Sequence, residues 1–230
     1  MQFSHSPEIW REFPELVPGV LIVGGISADA AVDDAISRHY AIAAAGIVGK
    51  AESDLPEIQA WRRSFSKMGL KPTQYRCASE ALLRRFRKEG NLPRIHPLID
   101  LCNAVSLAFA IPIAVFDAAK IANRLEVRYA TGAETYLTFS GDEEHPDEGE
   151  VIFADDDKRA HARRWTNRQS ATSAIRADTI QALIVAEALH ETAGADVGRL
   201  VDTLAAELRA VGAVPSATAI LDSSQPRFGF

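Results

Sequence analysis

The stretch LPRIHPLIDLCNAVSLAFAIPIAVFD, Leu92 to Asp117, constrains the chain more than any other, because it reads as a buried helix feeding directly into a buried strand. With His96 as the cap, Pro97 falls at the first helical position, where its missing N–H costs nothing. Leu98, Leu101, Cys102, Val105 and Phe109 then recur at three- and four-residue steps, one apolar stripe of a helix. Asp100, Asn103 and Ser106 form a second, polar stripe, and Pro112 stops the helix before the apolar run Ile113 to Phe116. A helix stripe beside a doubly buried strand makes this a chain of mixed helices and strands.

Other segments fit that class. Val20 to Val23 is a continuous apolar strand bounded by Gly24 and Gly25, a pair that lacks the remaining residues of a phosphate loop. Ala28 to Tyr40 is expected to be helical. Ile58, Trp61, Phe65 and Met68 mark a helix opening at Asp54 to Glu57 and ending at Gly69. In YRCASEALLRRFRKEG the expected cap is Ser79, the inward residues are Leu82, Leu83 and Phe86, and Gly90 ends the helix. Arg84, Arg85, Arg87 and Lys88 on its outer face read first as a solvated helix face and second as a contact for RNA phosphates.

Leu125, Val127 and Tyr129 alternate with more polar residues, and Thr135, Leu137 and Phe139 alternate again after Thr131-Gly132, so a hairpin is expected there. Gly141 to Glu150 reads as a solvated, mobile acidic loop. Strands follow at Glu150 to Asp155, His161 to Asn167 and Thr179 to Glu187, the last with a composition that would also allow a helix. Val197 to Val211 forms an amphipathic helix, Val214 to Leu221 an edge strand, and Ser223 to Phe230 a loosely held tail. The chain is expected to form one domain over residues 1–230.

The 230 residues carry a net charge of −6, too acidic for a protein that coats nucleic acid by charge, so any RNA contact must be local. Cys77 and Cys102 lack zinc or redox spacing and read as buried thiols of a reducing cytoplasm. The N-terminus lacks a signal-peptide pattern, and the longest apolar stretch is too short to cross a bilayer. No nucleophile elbow, metal-ligand spacing or cofactor motif is present, so no metal and no cofactor are expected and the catalytic residues stay unassigned. The candidate substrate-binding residues are the polar ones in otherwise apolar surroundings: Arg76, Glu80, His96, Asn103, Arg164, Asn167, Arg168 and Gln169. Three large polar residues in succession, Asn167 to Gln169, suit the lining of a cleft, and Arg168 suits a carboxylate or phosphate.

Pro93, Asp100, Asn103, Pro112, Phe116 and Asp117 give the chain a resemblance to the B3/B4 module of the phenylalanyl-tRNA synthetase beta subunit. RRWTNRQS, Arg163 to Ser170, makes it more similar still to free-standing proteins built on that module. The resemblance covers about residues 13–189, leaving the C-terminal helix and tail, 195–230, outside. It implies an α+β fold of mixed or antiparallel sheets with packed helices, a tRNA or aminoacyl-tRNA partner and a pocket in which a positioned water hydrolyses a mischarged ester. Two departures argue against tyrosine as the residue read: the histidine of the Pro-x-His-x-Phe-Asp motif is replaced by Ala114, and the acidic residue ahead of Asp178-Thr179 falls at Thr172 or Ala174. The other readings are a non-catalytic module that binds tRNA or an amino-acid-like ligand, and a hydrolase of a different small ester. Without the remaining parts of a synthetase, neither amino-acid activation nor ATP use is expected.

Overall fold

The structure, a computed structural model, describes residues 1–25 and 27–230. The chain runs β1 (Gln2–His5), α1 (Pro7–Glu12), β2 (Val17–Gly24), α2 (Asp33–Gly46), α3 (Pro56–Lys67), α4 (Ala78–Glu89), α5 (Pro97–Phe109) and β3 (Ile113–Asp117). It continues through β4 (Arg124–Tyr129), β5 (Tyr136–Leu137), β6 (Glu143–Glu144), β7 (Val151–Asp155), β8 (Ala160–Arg163) and β9 (Arg168–Gln169). It closes with β10 (Gln181–Ala188), α6 (Ala193–Ala210), β11 (Val214–Ile220) and β12 (Arg227–Gly229).

Two sheets organise these elements. One is antiparallel, in the order β11-β2-β10-β3; the other is mixed, in the order β12-β1-β4-β7-β8-β9, with β1 and β4 parallel. The strands β2, β10 and β3 of the four-stranded sheet read as apolar runs because both of their faces are covered, whereas the edge strand β11 is half exposed. Leu21, Val23, Val115, Ala182 and Ile184 face a layer of α2, α5 and α6, while Val20, Ile22, Phe116, Leu183 and Val185 face the six-stranded sheet and α3. Gly19 lets α6 come this close. A Cβ there would meet Val197 Cγ1 at 2.6 Å and Val201 Cγ2 at 2.7 Å.

His96 caps α5, its Nδ1 accepting from Leu98 N at 3.2 Å, and Pro97 occupies the first turn. Elsewhere tertiary context overrides the local pattern. No hairpin forms over 125–139: β4 pairs with β7, and β5 turns aside to pair with β6. Local alternation shows that a segment is a strand but not which strand it joins. The residue buried in β5 is accordingly Tyr136, not Thr135, Leu137 or Phe139. The acidic loop is organised rather than mobile, since Glu144 lies in β6 and Glu150 in a buried ion pair with Arg163. α2 starts only at Asp33, and α4 is preceded by Cys77 instead of Ser79, with no side-chain cap. The tail is tied down by β12 on β1, which buries Phe228.

β8 ends at Arg163, before the expected end at Asn167, because Arg164 and Trp165 both adopt left-handed backbone, with φ of 46° and 56°. That conformation is uncommon for residues other than glycine, least of all two in a row. It swings the Trp165 ring into the core, edge-on to Trp61 and Phe13 at centroid distances of 5.0 and 4.9 Å.

Candidate functional site

The left-handed pair opens a cleft where the edge strands of the two sheets separate. One wall is Pro112, Ile113 and Ala114 at the start of β3, with Val185 of β10; the other is Ala162 and Trp165 to Gln169. It is a small, half-open cleft with a cavity volume of about 60 Å³. Gln169 Nε2 donates to Val115 O and Asn167 Nδ2 donates to Arg76 O at 2.7 Å, so both rim amides are anchored across the cleft. Each amide spends one of its two N–H donors on backbone, and its carbonyl oxygen is left as an acceptor. Arg168 stands at the mouth, paired with Glu144 at 3.2 Å and above the Tyr136 ring.

At the inner end is Glu187, from the last turn-in of β10. It is only 1% exposed. Its Oε1 accepts from His5 Nε2 at 2.7 Å and Trp165 Nε1 at 3.0 Å, and its backbone oxygen from Trp61 Nε1 at 3.3 Å. Thr166 Oγ1, in the same lining, is buried with no hydrogen-bond partner.

Of the residues named from sequence, the structure brings Asn167, Arg168 and Gln169 together at this cleft. The other five do not line it; Arg76 is linked to it only through its backbone oxygen, which accepts from Asn167. Glu80 is a fully buried hub on α4, its Oε1 drawing Arg62 at 2.8 Å, Arg84 at 3.2 Å and Arg76 at 3.5 Å. Arg164 is carried away by its left-handed backbone and lies over Tyr75 at 4.8 Å. His96 is committed to capping α5, where burial lowers its pKa and nearby Asp100 partly opposes the shift. Asn103 is half-buried in the middle of α5.

Glu187, Thr166 and His5 were not selected from the sequence. The only local signal was a charge closing the apolar run TIQALIVAE. Cys77 and Cys102 are buried, and burial pushes both thiols up, Cys77 to about 11, so neither is a nucleophile at neutral pH. Among the described residues, Glu57, His190 and Asp196 bring potential metal-ligand atoms within 4.8 Å of one another. Asp196 there is already engaged by His190, Thr192 and Arg199, a hydrogen-bonded ion-pair network in its own right.

Both walls of the cleft fall within residues 60–203, which match the B3/4 domain. The chain belongs to the B3/4 domain family. Within it, the chain is 26% identical over 117 residues to the phenylalanine-tRNA ligase beta subunit of Haemophilus influenzae, covering 51% of this chain and 15% of that protein. It is 31% identical over 77 residues to that of Legionella pneumophila, covering 34% and 10%. The chain thus spans a small part of the length of these relatives. An N-terminal fragment of the phenylalanyl-tRNA synthetase beta-subunit from Pyrococcus horikoshii shares the fold, with a TM-score of 0.50 over 92% of this chain and 49% of that one at 12% identity. No helix among the described residues of this B3/4 protein is long and apolar enough to cross a membrane.

Proposed function

We propose that this B3/4 protein hydrolyses the ester bond between an amino acid and tRNA, acting in trans in the cytoplasm. The position of the cleft carries the reading: its walls belong to the B3/4 domain, and relatives of the chain include beta subunits of phenylalanine-tRNA ligases. Water adds to the acyl carbon, the bond to the ribose oxygen breaks, and that oxygen takes the proton. The free carbonyl oxygens of Asn167 and Gln169 are suited to orient the water, and Arg168 at the mouth to hold a phosphate or the developing oxyanion. With a net charge of −6 the protein would grip only the acceptor end, so binding depends weakly on salt. Ala114 supplies the cleft with a methyl group and no hydrogen bond, which suits an acyl group other than tyrosyl.

The test is a deacylation panel, with tRNAs charged correctly and incorrectly and rates compared with spontaneous hydrolysis. One class should be lost rapidly, and the double variant Asn167→Ala/Arg168→Ala should slow that loss at least tenfold. An unchanged rate in the variant removes these residues from the mechanism, and spontaneous rates for every tRNA sink the reading. A binding-only role has one observation in its favour: among the described lining residues there is no histidine, cysteine or serine. Charged tRNA that is retained without hydrolysis would support it.

A further inference from the structure

We propose that the floor of the cleft is built to bind a primary ammonium group, so that the ligand is read by its free amine. The inference takes from the preceding section that the cleft is the ligand site and names the group it recognises. It does not depend on RNA.

Glu187 has its Oε1 saturated by the His5 and Trp165 donors, whereas Oε2 accepts from no described protein group although the residue is 1% exposed and lines the cleft. A carboxylate oxygen with no protein donor is an acceptor left for water or a ligand that enters the cleft. His5 cannot meet it. Its Nε2 is spent on Oε1, and its Nδ1 is buried with no partner of its own. Thr166 Oγ1 is the second unmatched polar atom of the same lining, and the carbonyl oxygens of Asn167 and Gln169 add two more acceptors nearer the rim. The one carboxylate of the lining, Glu187, thus keeps a free oxygen, and the one cation of the lining, Arg168, stands at the mouth.

That inventory matches an ammonium group, which offers three donors, no acceptor and a compensating charge. A hydroxyl brings one donor and leaves the carboxylate charge uncompensated, and a carboxylate or phosphate would be repelled from the floor and stop at Arg168. Ala114, Ala162 and Val185 supply apolar walls that limit the carbon frame beside the amine and exclude water, which strengthens the charge contact.

The experiment is an NMR titration of the wild-type protein with L-alaninamide, N-acetyl-L-alaninamide and L-lactamide, which carry an ammonium, a blocked amine and a hydroxyl on nearly the same frame. Alaninamide should bind at least tenfold more tightly than either of the others, and Glu187→Gln should weaken it at least tenfold, about 1.4 kcal/mol. Thr166→Val, which keeps the shape of the side chain, should weaken it about threefold and serves should Glu187→Gln fail to fold. Equal affinity for the three probes, or no binding of alaninamide to the wild-type protein, overturns the proposal. Because no tRNA is present, absence of deacylation elsewhere leaves this result readable, and equal binding of the three probes would leave a deacylase activity standing.

Discussion

Asp155 and Glu187 are both buried carboxylates with a histidine partner, yet one is saturated and the other is not. At the end of β7, Asp155 Oδ1 accepts from the backbone N–H groups of Asp157 and Arg159 at 3.1 and 2.9 Å. Its Oδ2 accepts from Ala122 N at 3.1 Å, Arg159 Nε at 2.9 Å and His161 Nε2 at 3.1 Å, and His161 Nδ1 closes the network on Ser173 Oγ at 2.8 Å. Glu187 has two donors, both on one oxygen. A carboxylate with every lone pair used holds a turn together; one with an oxygen to spare at the bottom of a cleft is available to a ligand. Burial and charge alone would have ranked the two residues together.

The largest effect should separate them on stability. Asp155→Ala strands Arg159, His161 and three backbone N–H groups, and breaking a buried pair from one side costs about 3–5 kcal/mol. Glu187→Gln keeps an acceptor for His5 and Trp165 but loses the charge and exchanges the second oxygen for an NH2 group, a cost on the order of 1–2 kcal/mol. Urea unfolding of the two variants measures both. A larger loss for Glu187→Gln would reverse the comparison and make the cleft floor a structural device.

Acid sharpens the same contrast. Burial would raise the pKa of Asp155, but hydrogen bonds from His161, Arg159 and backbone N–H groups outweigh it and hold the carboxyl well below the usual range. A folded-state pKa lower than the unfolded value of about 3.9 means that this contribution is present above that pH and is lost as pH falls below it. Thermal midpoints should be flat from pH 7 to 5 and fall between about pH 4 and 2. In Asp155→Asn the midpoint should start lower and the acid fall should be shallower. An equally steep fall in the variant would assign the acid limb to other ion pairs, such as Glu150 with Arg163.

The elements legible in the sequence are those whose burial is periodic along one segment. α3, α5 and α6 follow from three- and four-residue steps, and β2, β3 and β10 from apolar runs, because each is covered as a whole. The cleft rim was legible too, since Asn167, Arg168 and Gln169 have no place in a core. Glu187 was not. Its direction depends on the register of β10 against β2 and β3, and its partner His5 comes from β1, 182 residues away. The left-handed turn at Arg164-Trp165 has no glycine or asparagine to announce it, so a regular strand was the natural reading. The docking of the tail depends on β1 offering an edge, which no property of Ser223 to Phe230 reveals.

The smallest effect belongs to the outer face of α4, where four basic residues suggested either solvent or RNA. Arg84 is drawn to Glu80 and Arg87 to Glu52, so two of the four charges are already matched to buried carboxylates. Arg85 and Glu89 form an exposed pair at 2.9 Å, one turn apart, of the kind worth about 0.3–0.5 kcal/mol. The double variant Arg85→Ala/Lys88→Ala should therefore change unfolding free energy by less than about 0.5 kcal/mol. It should also leave binding of charged tRNA within twofold, whereas Arg168→Ala, at the cleft mouth, should weaken it further. If the α4 variant weakens tRNA binding as much as Arg168→Ala does, phosphates reach across to this helix. The RNA surface would then extend beyond the cleft, and matched charge would no longer mark the helix face as structural.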